Sequence, residues 1–240
     1  MSRQSLTHHL DETDLTMSTE LFPGKQVKID LASFIVGGSW ESPNYAWSYK
    51  TIEYLYDKTK DIENAVMVDV GANTGSYSLI PKFNTNIKKI ICIEPNIYIL
   101  FILKRNLFLN GLLDKTEIYR IAASDYEGEE VFHATLGSSG QGTIIPIKKR
   151  EPHAIQLKVK LMPLDHLING PVNILKIDAQ GSDLAVLRGA MNIITSHKPD
   201  ILIEYTQINK QQIFDLLLPL GYLYDYVGDE DLFFTTRGTL

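Results

Sequence analysis

The chain has 240 residues, 44% of them hydrophobic, with a formal net charge of −6 and a single cysteine. That length and apolar content suit one α/β domain with a substantial core. The acidic balance argues against a nucleic-acid footprint, and one cysteine excludes an internal disulfide or a multi-cysteine metal site.

Residues 1–20 are polar and read as a flexible N-terminal tail. The His8-His9 pair there has no further ligand cluster beside it, so no metal is expected. The N-terminus has no charged-then-apolar leader pattern, and no apolar run reaches the length of a membrane span. A cytoplasmic protein is expected. Residues 21–62 read as a cap or lid segment, with a possible strand pair over 22–31. A loop over 37–47 carries Trp40, Tyr45 and Trp47, and a helix follows over about 48–60. The loop aromatics either seal the core edge or wall a ligand site.

Residues 63–240 read as the main domain. Ala65 to Val70 is an apolar, β-branched run ending in a turn with Gly71 and Gly75, after which apolar residues take helical spacing. The second apolar run, 89–93, ends at Glu94. An acid at that tip can accept both hydroxyls of a ribose. A dinucleotide fingerprint needs two more glycines where Asn73 and Ser76 stand. What remains is Asp69-x-Gly71-x-x-x-Gly75 with an acid one strand on, the nucleoside-end pattern of S-adenosylmethionine enzymes. Asp69 is placed to favour the sulfonium charge.

Pro95 and Asn96 start a helix over 97–110 that Gly111 stops. A third strand over 117–121 ends in Ala122-Ala123-Ser124-Asp125. Small residues there suit an adenine, and Ser124 or Asp125 suits its amine. Residues 126–161 read as a β insertion replacing a crossover helix, with a Gly/Ser loop over 137–142 that is an active-site loop or a turn. The densest basic run, Lys148-Lys149-Arg150, reads as a solvated loop. A strand over 172–177 ends at Asp178, and a helix follows Gly181 and Ser182. A fifth strand ends at Glu204, then come a helix over 207–218 and a closing hairpin. The predicted fold is a Rossmann-like class I methyltransferase sheet, α/β and mostly parallel. It carries a C-terminal antiparallel hairpin and a β insertion between strands three and four. Asp69–Gly75, Glu94, Ala123–Asp125, Asp178 and Glu204 all fall at carboxyl ends of predicted strands, where ligands of such sheets sit.

The residues also resemble a known family. Val68 to Gly75 is similar to the cofactor motif of FkbM-type methyltransferases, which includes Asn73 and Thr74. Ile93-Glu94-Pro95-Asn96, with Leu103, Asn106 and Asn110, resembles its second motif. Leu164-Asp165, Ile174 to Asp178, Gly181, Val186-Leu187, Gly189-Ala190 and 199–204 resemble its C-terminal signature. The family shows Glu where Gln180 stands, and a later Glu appears here as Asp183. The resemblance implies S-adenosyl-L-methionine as cofactor, no metal, and methylation of a hydroxyl on a small-molecule or glycan acceptor such as a sugar or secondary metabolite. The cofactor residues would be Asp69, Gly71, Asn73, Thr74, Gly75, Glu94, Pro95, Asn96, Ala123, Ser124 and Asp125.

Asp178 is the first candidate to orient or deprotonate the acceptor; a helix cap is the plain structural alternative. His133 and His153 are further candidates for a base. Lys176 alternates with Ile177 and reads as a partner for an acid, without assigned chemistry. Two other readings stay open at this point. One is a nicotinamide-dependent oxidoreductase, opposed by the missing glycine; the other is a protein that binds S-adenosylmethionine or a partner without turnover.

Overall fold

The computed structural model describes residues 15–35, 40–42, 45–46, 49–135, 138–145 and 154–238. A seven-stranded sheet forms its centre. Its strands are β1 (Ala65–Val70), β2 (Ile87–Ile93), β3 (Thr116–Tyr119), β4 (Ile174–Ile177), β5 (Asp200–Glu204), β6 (Leu223–Val227) and β7 (Asp231–Thr235). Their order across the sheet is 3-2-1-4-5-7-6. All neighbours are parallel except β7, which runs antiparallel to both β5 and β6. The order reverses between β1 and β4, so ligands are expected outside the carboxyl ends of those two strands.

The central strands are apolar on both faces because both faces are covered. Met67, Ile90, Cys92 and Leu202 pack on one side with Leu55, Leu79 and Leu103. Val68, Ile91, Leu175 and Ile203 pack on the other with Val186, Ile194 and Leu217. The helix Ile97–Leu109 follows the expected start and stop: the Asn96 side chain accepts the Tyr98 N–H at 3.1 Å, and Gly111 has φ +68°.

Several expectations are corrected. The first strand begins at Thr16, inside the stretch read as a tail, and pairs with Lys25–Asp30 as a hairpin. Leu21, Val27 and Ile29 of that hairpin are buried in the core, which is what orders it. The segment after Gly75 is a short 3₁₀ helix of two turns, Tyr77–Lys82, rather than an α-helix. Pro81 sits inside it and has no N–H for an α-helical bond. The helix predicted after Ser182 is two, Asp183–Arg188 and Met191–His197, broken at Gly189. A Cβ on Gly189 would lie 1.9 Å from the Ser124 carbonyl oxygen. Asp165 supplies the second helix's cap, accepting the Asn192 and Ile193 N–H groups at 2.9 Å each.

The β insertion forms as strands Gly128–Thr135, Ser138–Thr143 and Ala154–Met162, which build a second sheet with Ala122–Ala123. Trp40–Ser42 and Tyr45–Ala46 are short strands beside the N-terminal hairpin; the side chains of the aromatic loop lie outside the described residues. Among the described residues, no helix is long and apolar enough to cross a membrane.

Gly189→Ala should lower stability by about 1–3 kcal/mol, because the helix and the Ser124 backbone must separate. A drop in the urea midpoint with unchanged slope checks this.

Candidate active site

At the carboxyl ends of β1, β2 and β4 lies a cleft open to solvent. Its wall includes Gly71, Asn73, Glu94, Pro95, Ala123 and Asp178, six of the residues singled out from sequence. Ile121 and Ala122, and Phe132, Thr143 and Ile144 of the insertion, complete the apolar side; Ala179, Gln180 and Ser182 close the other.

Glu94 ends β2 and is 6% exposed. One carboxylate oxygen accepts the Asn73 N–H and the other the Asn96 N–H, each at 2.9 Å. A carboxylate has about four lone-pair positions, so both oxygens retain acceptor capacity toward the cleft. Burial pushes the Glu94 carboxyl up to about 7, against the two backbone bonds and the nearby Lys176, which pull it down. Asn73 adopts φ +49°, and its side-chain oxygen is buried without a hydrogen-bond partner. A buried acceptor of that kind is costly unless a ligand supplies a donor.

Gly71 sits at φ +70°, and a Cβ there would lie 1.8 Å from the Asp178 carbonyl oxygen. Only glycine allows the first turn to press against the exit of β4. Asp178 therefore stands beside the turn. Its side chain is 35% exposed; one oxygen accepts Gln180 Nε2 at 2.8 Å, and the other lies 3.6 Å from Lys176 Nζ. Gln180 is itself in the left-handed region, φ +48°. Asp178 makes no cap to the helix that follows, the structural alternative to its role as a base; Asp183 instead braces the turn before that helix, its oxygens accepting the Ala179 and Gly181 N–H groups at 2.6 and 3.0 Å.

Six expected cofactor residues do not line the cleft. Asp69 is fully buried behind the turn, where it accepts the Ser78 hydroxyl at 2.5 Å and faces Lys176. Thr74 is buried, and its carbonyl accepts Asn106 Nδ2 at 2.7 Å. Gly75 sits at φ +101°, a backbone conformation that favours glycine, close against Leu103. Asn96 serves as the helix cap. Ser124 is 2% exposed against Gly189, and Asp125 is exposed. The chain leaves the central sheet at Ala122 to pair with Leu161, which turns both away from the cleft. His133 lies on the insertion strand and not on the cleft wall; His153 is outside the described residues.

Carboxylates gather on the far side of Asp178. Ligand oxygens of Asp178, Asp183 and Glu204 lie within 4.8 Å of one another. Burial first, then the neighbouring acids, push Glu204 up to about 8 and Asp231 up to about 7. Lys176 is the cation that pulls both down.

A parallel sheet in this order, with a glycine turn after its first strand and an acid ending its second, defines a class I methyltransferase fold. Residues 69–232 match the model of the methyltransferase FkbM domain, and the chain belongs to that family. Methyltransferase sdnD of Sordaria araneosa is 25% identical over 173 residues, covering 59% of this chain and 67% of that protein. The crystal structure of methyltransferase FkbM from Methylobacillus flagellatus superposes with a TM-score of 0.52 and 19% identity. That match covers 71% of this chain, which spans 43% of the length of that structure.

Two outcomes follow from this geometry. Gly71→Ala should disrupt the seam to β4 and lower stability by about 1–3 kcal/mol or more, read by denaturant unfolding. The second concerns pH. Glu94, Glu204 and Asp231 have folded-state values above their ordinary 4.5, 4.5 and 3.8. The folded chain then holds protons that the unfolded chain has released, so their contribution is fully present below about pH 4 and is lost as pH rises through about 7–8. The thermal midpoint of the ligand-free protein should fall over that window, and Glu204→Gln should flatten the fall.

Proposed function

We propose that the chain transfers a methyl group from S-adenosyl-L-methionine to a hydroxyl oxygen of a small-molecule or glycan acceptor. The observation that carries the reading is Glu94: a buried carboxylate on the cleft wall, held by two backbone N–H groups, beside the unpartnered Asn73 oxygen. Two ribose hydroxyls supply the donors such a pair lacks. The apolar wall of Ile121, Ala122, Ala123 and Phe132 suits a flat base. Membership of the methyltransferase FkbM family and the Sordaria relative's name support the reaction class.

When bound, the cofactor supplies a methyl already activated by its sulfonium. The chain's own work is then positional. Glu94 and Asn73 hold the nucleoside end. Asp178, partly exposed beside the glycine turn, orients the acceptor hydroxyl and takes its proton as the oxygen–carbon bond forms. Gln180 holds one oxygen of Asp178, which leaves the carboxylate in a fixed orientation.

Isothermal calorimetry with S-adenosylmethionine and S-adenosylhomocysteine tests the binding half. Glu94→Ala should weaken both ligands about 10- to 100-fold, the loss of charge-assisted hydrogen bonds. No heat for either ligand with the unaltered protein would sink the proposal. Asp178→Asn should leave the cofactor affinity within a factor of about two and cut turnover on any acceptor about 10²- to 10⁴-fold. Mass spectrometry of hydroxylated acceptor panels would read that loss.

A further inference from the structure

We propose that Lys176 is a positioning residue, whose buried ammonium locks the cofactor-side turn and the acceptor-side carboxylate into one arrangement. This rests on the nucleoside reading of the cleft given above. The Lys176 side chain is 5% exposed. Its Nζ donates to the Gly71 carbonyl at 3.1 Å and the Val70 carbonyl at 3.3 Å, the two carbonyls at which β1 becomes the glycine turn. The Val70 carbonyl also accepts the Asp178 N–H at 3.1 Å. Asp69 Oδ1 meets the ammonium at 3.4 Å as an ion pair, and Asp178 Oδ2 at 3.6 Å. The Tyr77 ring lies over the charge, 4.9 Å to its centroid.

An ammonium has three donors and no acceptor, and here four oxygens and a ring converge on it. They come from β1, from the turn, from the exit of β4 and from the 3₁₀ helix. No single element could set these distances; the lysine does so for all of them. It also balances charge across the site. Glu94 at the end of β2, Glu204 at the end of β5 and Asp231 at the start of β7 each feel it. Burial works to strip the ammonium of its proton, and Asp178 and Asp69 more than offset that, holding it charged.

A core ion pair with no part in the site would matter to stability alone. A positioning residue would also move the pH dependence of ligand binding. The test compares the unaltered protein, Lys176→Met, and the double variant Lys176→Met with Asp69→Asn. The double variant removes the buried acid that the single one strands, and so keeps a folded comparison. Calorimetry reads the S-adenosylhomocysteine dissociation constant between about pH 5.5 and about pH 9. The affinity should weaken as pH falls and Glu94 takes its proton. In Lys176→Met, which removes the cation and leaves Asp69, that midpoint should move up and binding should weaken several-fold near neutrality; the double variant also removes Asp69, whose charge acts on Glu94 in the opposite sense, and should move it less.

A folded Lys176→Met variant with unchanged midpoint and affinity would overturn the inference. In the unaltered protein, ¹⁵N NMR should show a slowly exchanging Lys176 ammonium signal that shifts when S-adenosylhomocysteine binds. A signal indifferent to the ligand would also overturn it, even if neither variant folds. If the unaltered protein binds no S-adenosylhomocysteine at any pH, the nucleoside reading itself fails and this inference fails with it.

Discussion

The architecture depends on one close approach of backbone to backbone. Gly71 leaves β1 pressed against the Asp178 carbonyl at the exit of β4, a distance no side chain would permit. This contact stands at the point where the strand order reverses. It places the glycine turn after β1 next to the Asp178 carboxylate on the cleft wall. The Val70 carbonyl, bonded to the Asp178 N–H, continues the seam one residue back. Everything that defines the cleft is measured from this junction: Glu94 from one side, Gln180 and Asp183 from the other.

The wall opposite the junction comes from elsewhere. Phe132, Thr143 and Ile144 belong to the insertion, whose sheet touches the central fold through Ala122–Ala123. Gly142 packs so closely on Phe132 that a Cβ would lie 2.3 Å from the ring. The cofactor-side residues and the insertion residues thus answer to different constraints. Glu94 and Gly71 are fixed by the parallel sheet, while the insertion shapes one side of the pocket on its own frame.

Sequence periodicity located the strand ends well, because apolar runs broken by Gly, Pro or an acid are strong signals in a doubly covered sheet. It did not tell which way each side chain faces. Asp69 sits at a strand tip and carries a charge, yet it points behind the turn to Ser78 and Lys176. The register could have revealed this: Lys176 pairs across the sheet with Asp69, as Ile177 does with Val70. Knowing that β4 neighbours β1 would have joined the two charges. That Ser124 and Asp125 stand off the cleft wall is not legible in the sequence, because nothing local marks where the chain departs the central sheet. The short 3₁₀ helix after Gly75 was legible in Pro81, which the helical spacing of the apolar residues masked. Asn106's bond to the Thr74 carbonyl depends on tertiary placement that no spacing encodes.

The pairing of β1 with β4 also bears on how the molecule assembles. Val66 and Asn173 bond directly, though 107 positions separate them along the chain. Such a contact closes a long loop and carries a large entropic cost before it returns any stability. Cleft residues lie on both sides of that closure, Gly71 and Asn73 after β1 and Asp178 and Gln180 after β4, so the cleft forms only when the two strands dock. The cleft is therefore a property of the docked sheet and belongs to neither strand alone, and anything that fills it stabilises that docked form by mass action.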